Sequence, residues 1–347
     1  MIALNSNPRG QNNLSWRILV QTTQQRMSFK PIPPKTPPRA LNRILGLLGC
    51  VTLGWFSVPI SARALPPTAC GRGVQLLLSS HQASQGSLIA VVLLSQKPLG
   101  SVNATWDTRP LPFWSTQDRQ KGRPERRHAL IGVDLEKAPG PYELNLPGRL
   151  QNGQPFSCKT LINVVLGHFA TESLQVNKQF VQPDEQQVKR ANAERDTLRA
   201  IFDYVTPEHL WTGPFREPLD GVKSGGNFGK RRILNGIPGS PHGGVDFPTT
   251  TGTPIHAPQA GKVALAQELF FSGNTVVIDH GLGIYTFYGH LSEIDVQPGD
   301  DVRAGQILGK VGATGRVTGP HLHWGLTVNR ARVNALELLR ILGNQPQ

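Results

Sequence analysis

Gly319-Pro320-His321-Leu322-His323-Trp324-Gly325-Leu326-Thr327-Val328 reads as a turn followed by a strand. Residues two apart in a strand face the same side. His321 and His323 therefore project together, and Leu322 turns to the opposite face. Two imidazoles on one rigid element make a good base for a metal site. The stretch thus points to a β-sheet fold with polar chemistry gathered on one face.

The surrounding block, 207–347, continues in the same manner. Strands are expected over 261–266, 275–279, 284–288 and 306–311, with Gly-rich turns between them and a short helix over 334–342. This block holds seven of the ten histidines. Two further stretches stand out: His242-Gly-Gly-Val-Asp246 and Tyr288-Gly-His290-Leu291. Gly243 and Gly244 let the backbone bend so that His242 and Asp246 reach one point. Zinc takes imidazole and carboxylate ligands, and a catalytic site keeps three protein ligands and one water. His242, Asp246 and one histidine of the His-Leu-His pair meet that count, and spacing alone leaves the choice between His321 and His323 open. Zinc lowers the pKa of bound water from ~16 to ~7, but a base must still move a proton. There is no His-Glu-x-x-His helix to supply a glutamate. The candidates are His290 and whichever of His321 and His323 stays uncoordinated, because histidine titrates near ~6.5. His256 reads as an exposed strand residue, His280 as a turn residue, and His209 as a histidine without a partner.

The upstream block, 65–166, carries short strands over 74–79, 88–94, 129–133, 142–146 and 160–166, punctuated by Gly, Pro and Asn. A β-sandwich is the natural reading. His128 and Asp134 read here as plain strand and turn residues. The linker 167–206 contains a helix over 183–205, opened by an Asp184–Gln187 capping box and aided by Glu185 and Lys189. Its apolar stripe is expected to pack on a neighbouring domain.

Residues 1–64 carry eight Lys or Arg and no acid. An apolar run over 44–60 follows Arg39 and Arg43 and ends at Ala62-Arg63-Ala64. This is the pattern of a cleaved signal peptide, too short for a comfortable membrane span, so no stable span is expected after cleavage. The chain is then exported to the periplasm or cell envelope. The remaining 28 basic and 23 acidic residues leave a net charge of +5. That mild excess fits weak attraction to an anionic surface better than duplex binding, so no nucleic-acid partner is expected. Setting Cys50 aside within the leader leaves Cys70 and Cys158, an even pair in an exported chain that spans about 90 residues. A Cys70–Cys158 disulfide tying the first and last strands of one domain is expected.

These stretches, in this order, resemble the lysostaphin/LytM family of zinc peptidoglycan endopeptidases over 208–340. The likeness includes Phe228-Gly-Lys-Arg-Arg232, His242-Gly-Gly-Val-Asp-Phe247, Ala257-Pro-Gln-Ala-Gly-Lys-Val263, Tyr288-Gly-His-Leu291 and Gly319-Pro-His-Leu-His-Trp324. The resemblance implies one zinc ion per chain held by His242, Asp246 and His323. It implies His290 and His321 as the uncoordinated catalytic pair. It also implies a mainly β fold: an amino-terminal Ig-like β-sandwich, a connecting helix, and a compact β-sheet catalytic domain of duplicated hybrid motif type. The substrates it implies are cell-wall peptides, either glycine bridges or D-alanyl–diaminopimelate crosslinks. The competing reading is a non-catalytic cell-wall-binding regulator of another hydrolase. Such relatives usually lack metal ligands, whereas all five positions are filled here. Gln297-Pro-Gly-Asp-Asp-Val-Arg-Ala-Gly-Gln306 also resembles the turn of lipoyl-type carrier domains, but no suitable hairpin lysine follows.

Overall fold

Alternation of apolar and polar residues along the hairpin of Gly140–Leu150 and Pro155–Val165 builds the first half of the molecule. The structure, a computed structural model, describes residues 66–115 and 124–343. The leader, 1–64, lies outside these residues. The hairpin pairs from Gly140↔Val164 to Arg149↔Pro155. Leu144, Leu146, Ile162 and Val164 point inward and meet Val91, Leu93 and Ile131 of a second sheet in one core. Glu143 and Lys159 point outward and pair at 3.2 Å. The second sheet runs Thr68–Gly71, Val74–Leu78, Leu88–Ser95, Glu125–Gly132, Trp114–Ser115. The result is a two-sheet sandwich. Cys70, in the opening strand, and Cys158, in the closing one, are joined by a disulfide across 88 residues of chain.

The carboxy-terminal half is a nine-stranded sheet. Its main path is Gly244–Pro248, His321–Val328, Ile284–Ile294, Gly273–Asp279, Gly261–Leu269, Asp301–Val302. Ile307–Val311 pairs with both Pro254–His256 and Ile284–Ile294, so the sheet branches at the longest central strand. Phe247, Val276, Ile278, Tyr288, Leu322 and Trp324 are fully buried behind it. A short helix, Ala335–Leu342, capped by Asn334, closes the described chain.

The connecting helix spans Glu185–Asp203 and carries the Asp184–Gln187 capping box. Leu198, Ile201 and Phe202 pack on Leu265, Leu269, Val277 and Tyr285 of the large sheet. The i,i+4 ion pair along this helix among the described residues is Arg190–Glu194, not Glu185–Lys189. The connection also contributes a strand, Thr171–Leu174, which pairs in parallel with Arg231–Leu234. That pairing sets Glu172 beside Arg232.

The sandwich and the large sheet share a core: Leu88, Trp114 and Leu130 pack with Trp211, Leu282, Ala331 and Leu338. Asp134 is more than the plain turn residue expected from sequence. Its carboxylate accepts from the backbone N–H and both sides of the guanidinium fork of Arg332, at 2.8–3.1 Å. Burial opposes the Asp134 charge, but these bonds prevail and hold its pKa below the usual value. A depressed folded-state pKa adds stability above the unfolded value of ~3.9, lost as pH falls through the folded one. Asp134→Asn should therefore destabilise the chain by about 1–2 kcal/mol, a figure reduced for solvent screening because Arg332 is 39% exposed. Denaturant titrations at pH 7 and pH 3 check this, and the deficit of the variant should shrink at the lower pH.

Candidate metal centre

Two adjacent antiparallel strands create the site. Gly244–Pro248 runs against His321–Val328 with Asp246 opposite His323 and Phe247 opposite Leu322. In this register the polar residues share one face while Phe247 and Leu322 enter the core. His242, just before the first strand, completes the group. Its Nε2 lies 2.9 Å from His323 Nδ1 and 3.0 Å from Asp246 Oδ1, and the last two atoms are 2.9 Å apart. Among the described residues, these three form the group whose donor atoms converge closely enough for a metal ion.

The donor chemistry fits zinc. His242 Nδ1 donates to the Asn227 carbonyl at 2.9 Å, so Nε2 presents its lone pair to the triangle. Burial pushes the His323 pKa down to about 4, which leaves that ring neutral. Burial opposes the charge of Asp246, yet the adjacent His242 and His323 rings hold its pKa far below the carboxylate range. Two imidazole nitrogens and one carboxylate oxygen face one point, where a cation satisfies all three. Tetrahedral ligands ~2.0–2.1 Å from zinc stand about 3.3 Å apart, so a few tenths of an ångström of opening admits the ion.

Residues that the sequence reading did not assign hold this triangle in place. Asn227 donates to Asp246 Oδ2 at 2.7 Å and accepts from the Asp246 backbone N–H at 2.9 Å. Arg232 donates to the same Oδ2 at 3.1 Å and also pairs with Glu172. Oδ2 is thereby occupied, and Oδ1 is left facing His242 and His323. Gly244 is required by space: a Cβ there would lie 2.7 Å from the His323 ring and from the Trp324 carbonyl oxygen. Asn227 and Arg232 flank or belong to the Phe228–Arg232 stretch, but spacing in sequence does not reveal their contacts.

The other two expected residues stand beside the triangle. His321 Nδ1 donates to the Gly319 carbonyl at 2.8 Å, and its Nε2 lies 3.7 Å from Asp246 Oδ1. His290 Nδ1 donates to the Thr314 carbonyl at 2.8 Å. Both rings keep Nε2 as an acceptor, and their centroids are 4.8 Å apart. Burial pushes the His290 pKa down to about 3. His290 also adopts φ 69°, a backbone region unfavourable for a side chain of its size, held by an N–H bond to the Ser272 carbonyl.

The remaining histidines stay apart from this group. His280, expected at a turn, is fully buried and bonded to the Ala260 carbonyl and Thr286 Oγ1. His209 is not partnerless: it stacks on Trp114 and meets Trp211 edge-on. His256 donates to the Gly305 carbonyl, and His128 also stacks on Trp114.

A crystal structure of a putative peptidase M23 from Pseudomonas aeruginosa is similar to this chain at 31% identity and a TM-score of 0.56, covering 75% of this chain and 96% of that one. This chain belongs to peptidase family M23. The profile of that family matches residues 240–335, the span that contains all five site residues. Among curated M23-like relatives, the peptidoglycan DD-endopeptidase ShyA of Vibrio cholerae is 46% identical over 98 residues, covering 28% of this chain and 23% of that protein. Lysostaphin of Staphylococcus simulans is 40% identical over 113 residues, covering 32% of this chain and 22% of that protein. The chain thus spans less than a quarter of the length of either relative.

The contacts around the M23 site yield a direct test. Asn227→Ala should lower zinc affinity about 10–100-fold, as loss of a partner that orients metal ligands generally does. Gly244→Ala should act in the same direction by displacing His323. Competition titrations with a chromogenic chelator measure both, and unchanged affinity in Asn227→Ala would refute the orienting role.

Proposed function

We propose that this chain is an exported zinc metalloendopeptidase that hydrolyses peptide crosslinks of bacterial peptidoglycan. The observation that carries the reading is the convergence of His242 Nε2, Asp246 Oδ1 and His323 Nδ1 beside His290 and His321 in an open groove. Those three atoms would hold one zinc ion. Bound there, zinc acts as a Lewis acid that polarises a scissile carbonyl and brings the pKa of water to ~7. His321 Nε2 takes the proton of the attacking water and returns it to the leaving amine. His290 Nε2 accepts a hydrogen bond that orients the reacting group, and its strained backbone keeps the ring pointed there. Asn227 and Arg232 hold Asp246 through Oδ2 while the reaction proceeds.

The names of the curated relatives support cell-wall peptides as substrates, since three Vibrio cholerae proteins are peptidoglycan DD-endopeptidases and three Neisseria proteins are DD-carboxypeptidase/endopeptidases. A peptidoglycan substrate and the leader pattern of 1–64 support the periplasm or cell envelope as the location. No helix among the described residues is long and apolar enough to cross a membrane. We assign catalysis to 207–347, with the sandwich at 65–166 and the linker at 167–206.

The full chain should release peptides from purified crosslinked muropeptides, lose that turnover with a chelator, and regain it on addition of zinc. His323→Ala should lower kcat/KM by at least about 100-fold. Mass spectrometry of the products measures both, and turnover that survives chelation would remove the zinc mechanism.

A further inference from the structure

The loop 312–320 carries a cation into the groove. Its position is set by backbone contacts. The Thr314 carbonyl accepts from His290, and the Arg316 backbone N–H donates to the Phe271 carbonyl at 2.8 Å. Gly315 sits at φ 73°, and a Cβ there would lie 2.4 Å from the Gly273 nitrogen. From this fixed start the Arg316 side chain crosses the Phe271 ring, with the guanidinium carbon 4.7 Å from the ring centroid. It lines the same groove as Asp246, His290 and His321.

Other cations lining this groove are already paired. Arg232 is held by Glu172 and Asp246, and the nearby Lys230 by Glu172. Arg316 has no hydrogen bond or ion pair through its guanidinium among the described residues; only the face of Phe271 accompanies it. Burial and the charge of Arg232 both work against its cation. A half-buried guanidinium with five unused donors is an incomplete interaction, and a planar carboxylate is the group that fits its fork. Beyond Val317 the groove continues past Asn177, Gln179, Phe180 and Phe270, a polar and aromatic run suited to the rest of a peptide.

We propose that Arg316 is the specificity-determining residue of the groove and receives a free carboxylate carried by the substrate peptide beside the scissile amide. This rests on the peptidoglycan-peptidase reading and narrows it to acidic crosslinks, because a neutral glycine bridge offers no such group. The test uses full-length protein bearing His321→Ala, so that peptides stay intact. Two probes are compared by calorimetry: a diaminopimelate-crosslinked stem peptide, and the same peptide with the carboxyl next to the scissile amide converted to a carboxamide.

The carboxylate probe should bind about 10–100-fold more tightly, the range of a hydrogen-bonded charge pair. Adding Arg316→Gln should collapse that ratio to below about twofold. Arg316→Lys, which keeps the charge without the fork, should give an intermediate ratio. Thermal melts verify folding. If the Gln variant melts early, the Lys variant decides, and a ratio equal to that of the parent overturns the proposal. An unchanged ratio in Arg316→Gln, no preference in the parent, or no binding of either probe also overturns it. Parallel digestion by the unaltered chain separates the two readings. Preference without cleavage refutes the peptidase and leaves the carboxylate site, whereas equal cleavage of both probes without preference does the reverse.

Discussion

The register between Gly244–Pro248 and His321–Val328 is the constraint on which the site depends. Asp246 faces His323 directly across the ladder. A slip by one residue would send both side chains to the core and bring Phe247 and Leu322 to the groove. Burial of Phe247, Leu322 and Trp324 makes that slip unfavourable. The apolar side of the sheet therefore enforces the geometry of the polar side. Neighbouring pairing with Ile284–Ile294, where Gly289 faces His323, carries His290 into the same place.

The polar side is organised in a chain of dependence. Lys230 and Arg232 both pair with Glu172, which arrives on a strand of the connecting segment. Arg232 and Asn227 then occupy Asp246 Oδ2, and Asn227 also fixes the tautomer of His242 through its carbonyl. The linker between the two halves is thus part of the wall of the site. The shared core at Trp114 and the Asp134–Arg332 contact connect the sandwich to the strand that follows His321–Val328.

Charge balance divides the groove into two regions. Around Asp246 the charged groups Lys230, Arg232 and Glu172 are paired, which suits the fixed geometry of the proposed metal site. At Arg316 the balance is left open among the described residues, with the guanidinium seated on the face of Phe271. The backbone of loop 312–320 serves both regions, since Thr314 holds His290 and Arg316 follows two residues later.

Much of this was legible from sequence because it depends on local patterns. Two-residue alternation in His321-Leu-His323 dictates a shared face, apolar periodicity marks the connecting helix, and Asp184 with Gln187 marks its start. Cysteine parity singles out the pair that the structure joins. Other features needed the tertiary structure. His321 and His323 have the same spacing relation to the strand, and only the convergence of Nδ1 with His242 and Asp246 distinguishes them geometrically. His280 follows a strand and precedes a glycine like a turn residue, yet it is fully buried because Ala260 and Thr286 supply its hydrogen bonds. Asn227 and Glu172 lie far along the chain from the atoms they serve. Residue types and local spacing determined which chemistry was possible here, and long-range strand pairing decided which atoms meet, because contacts between distant segments leave no periodic trace in the sequence.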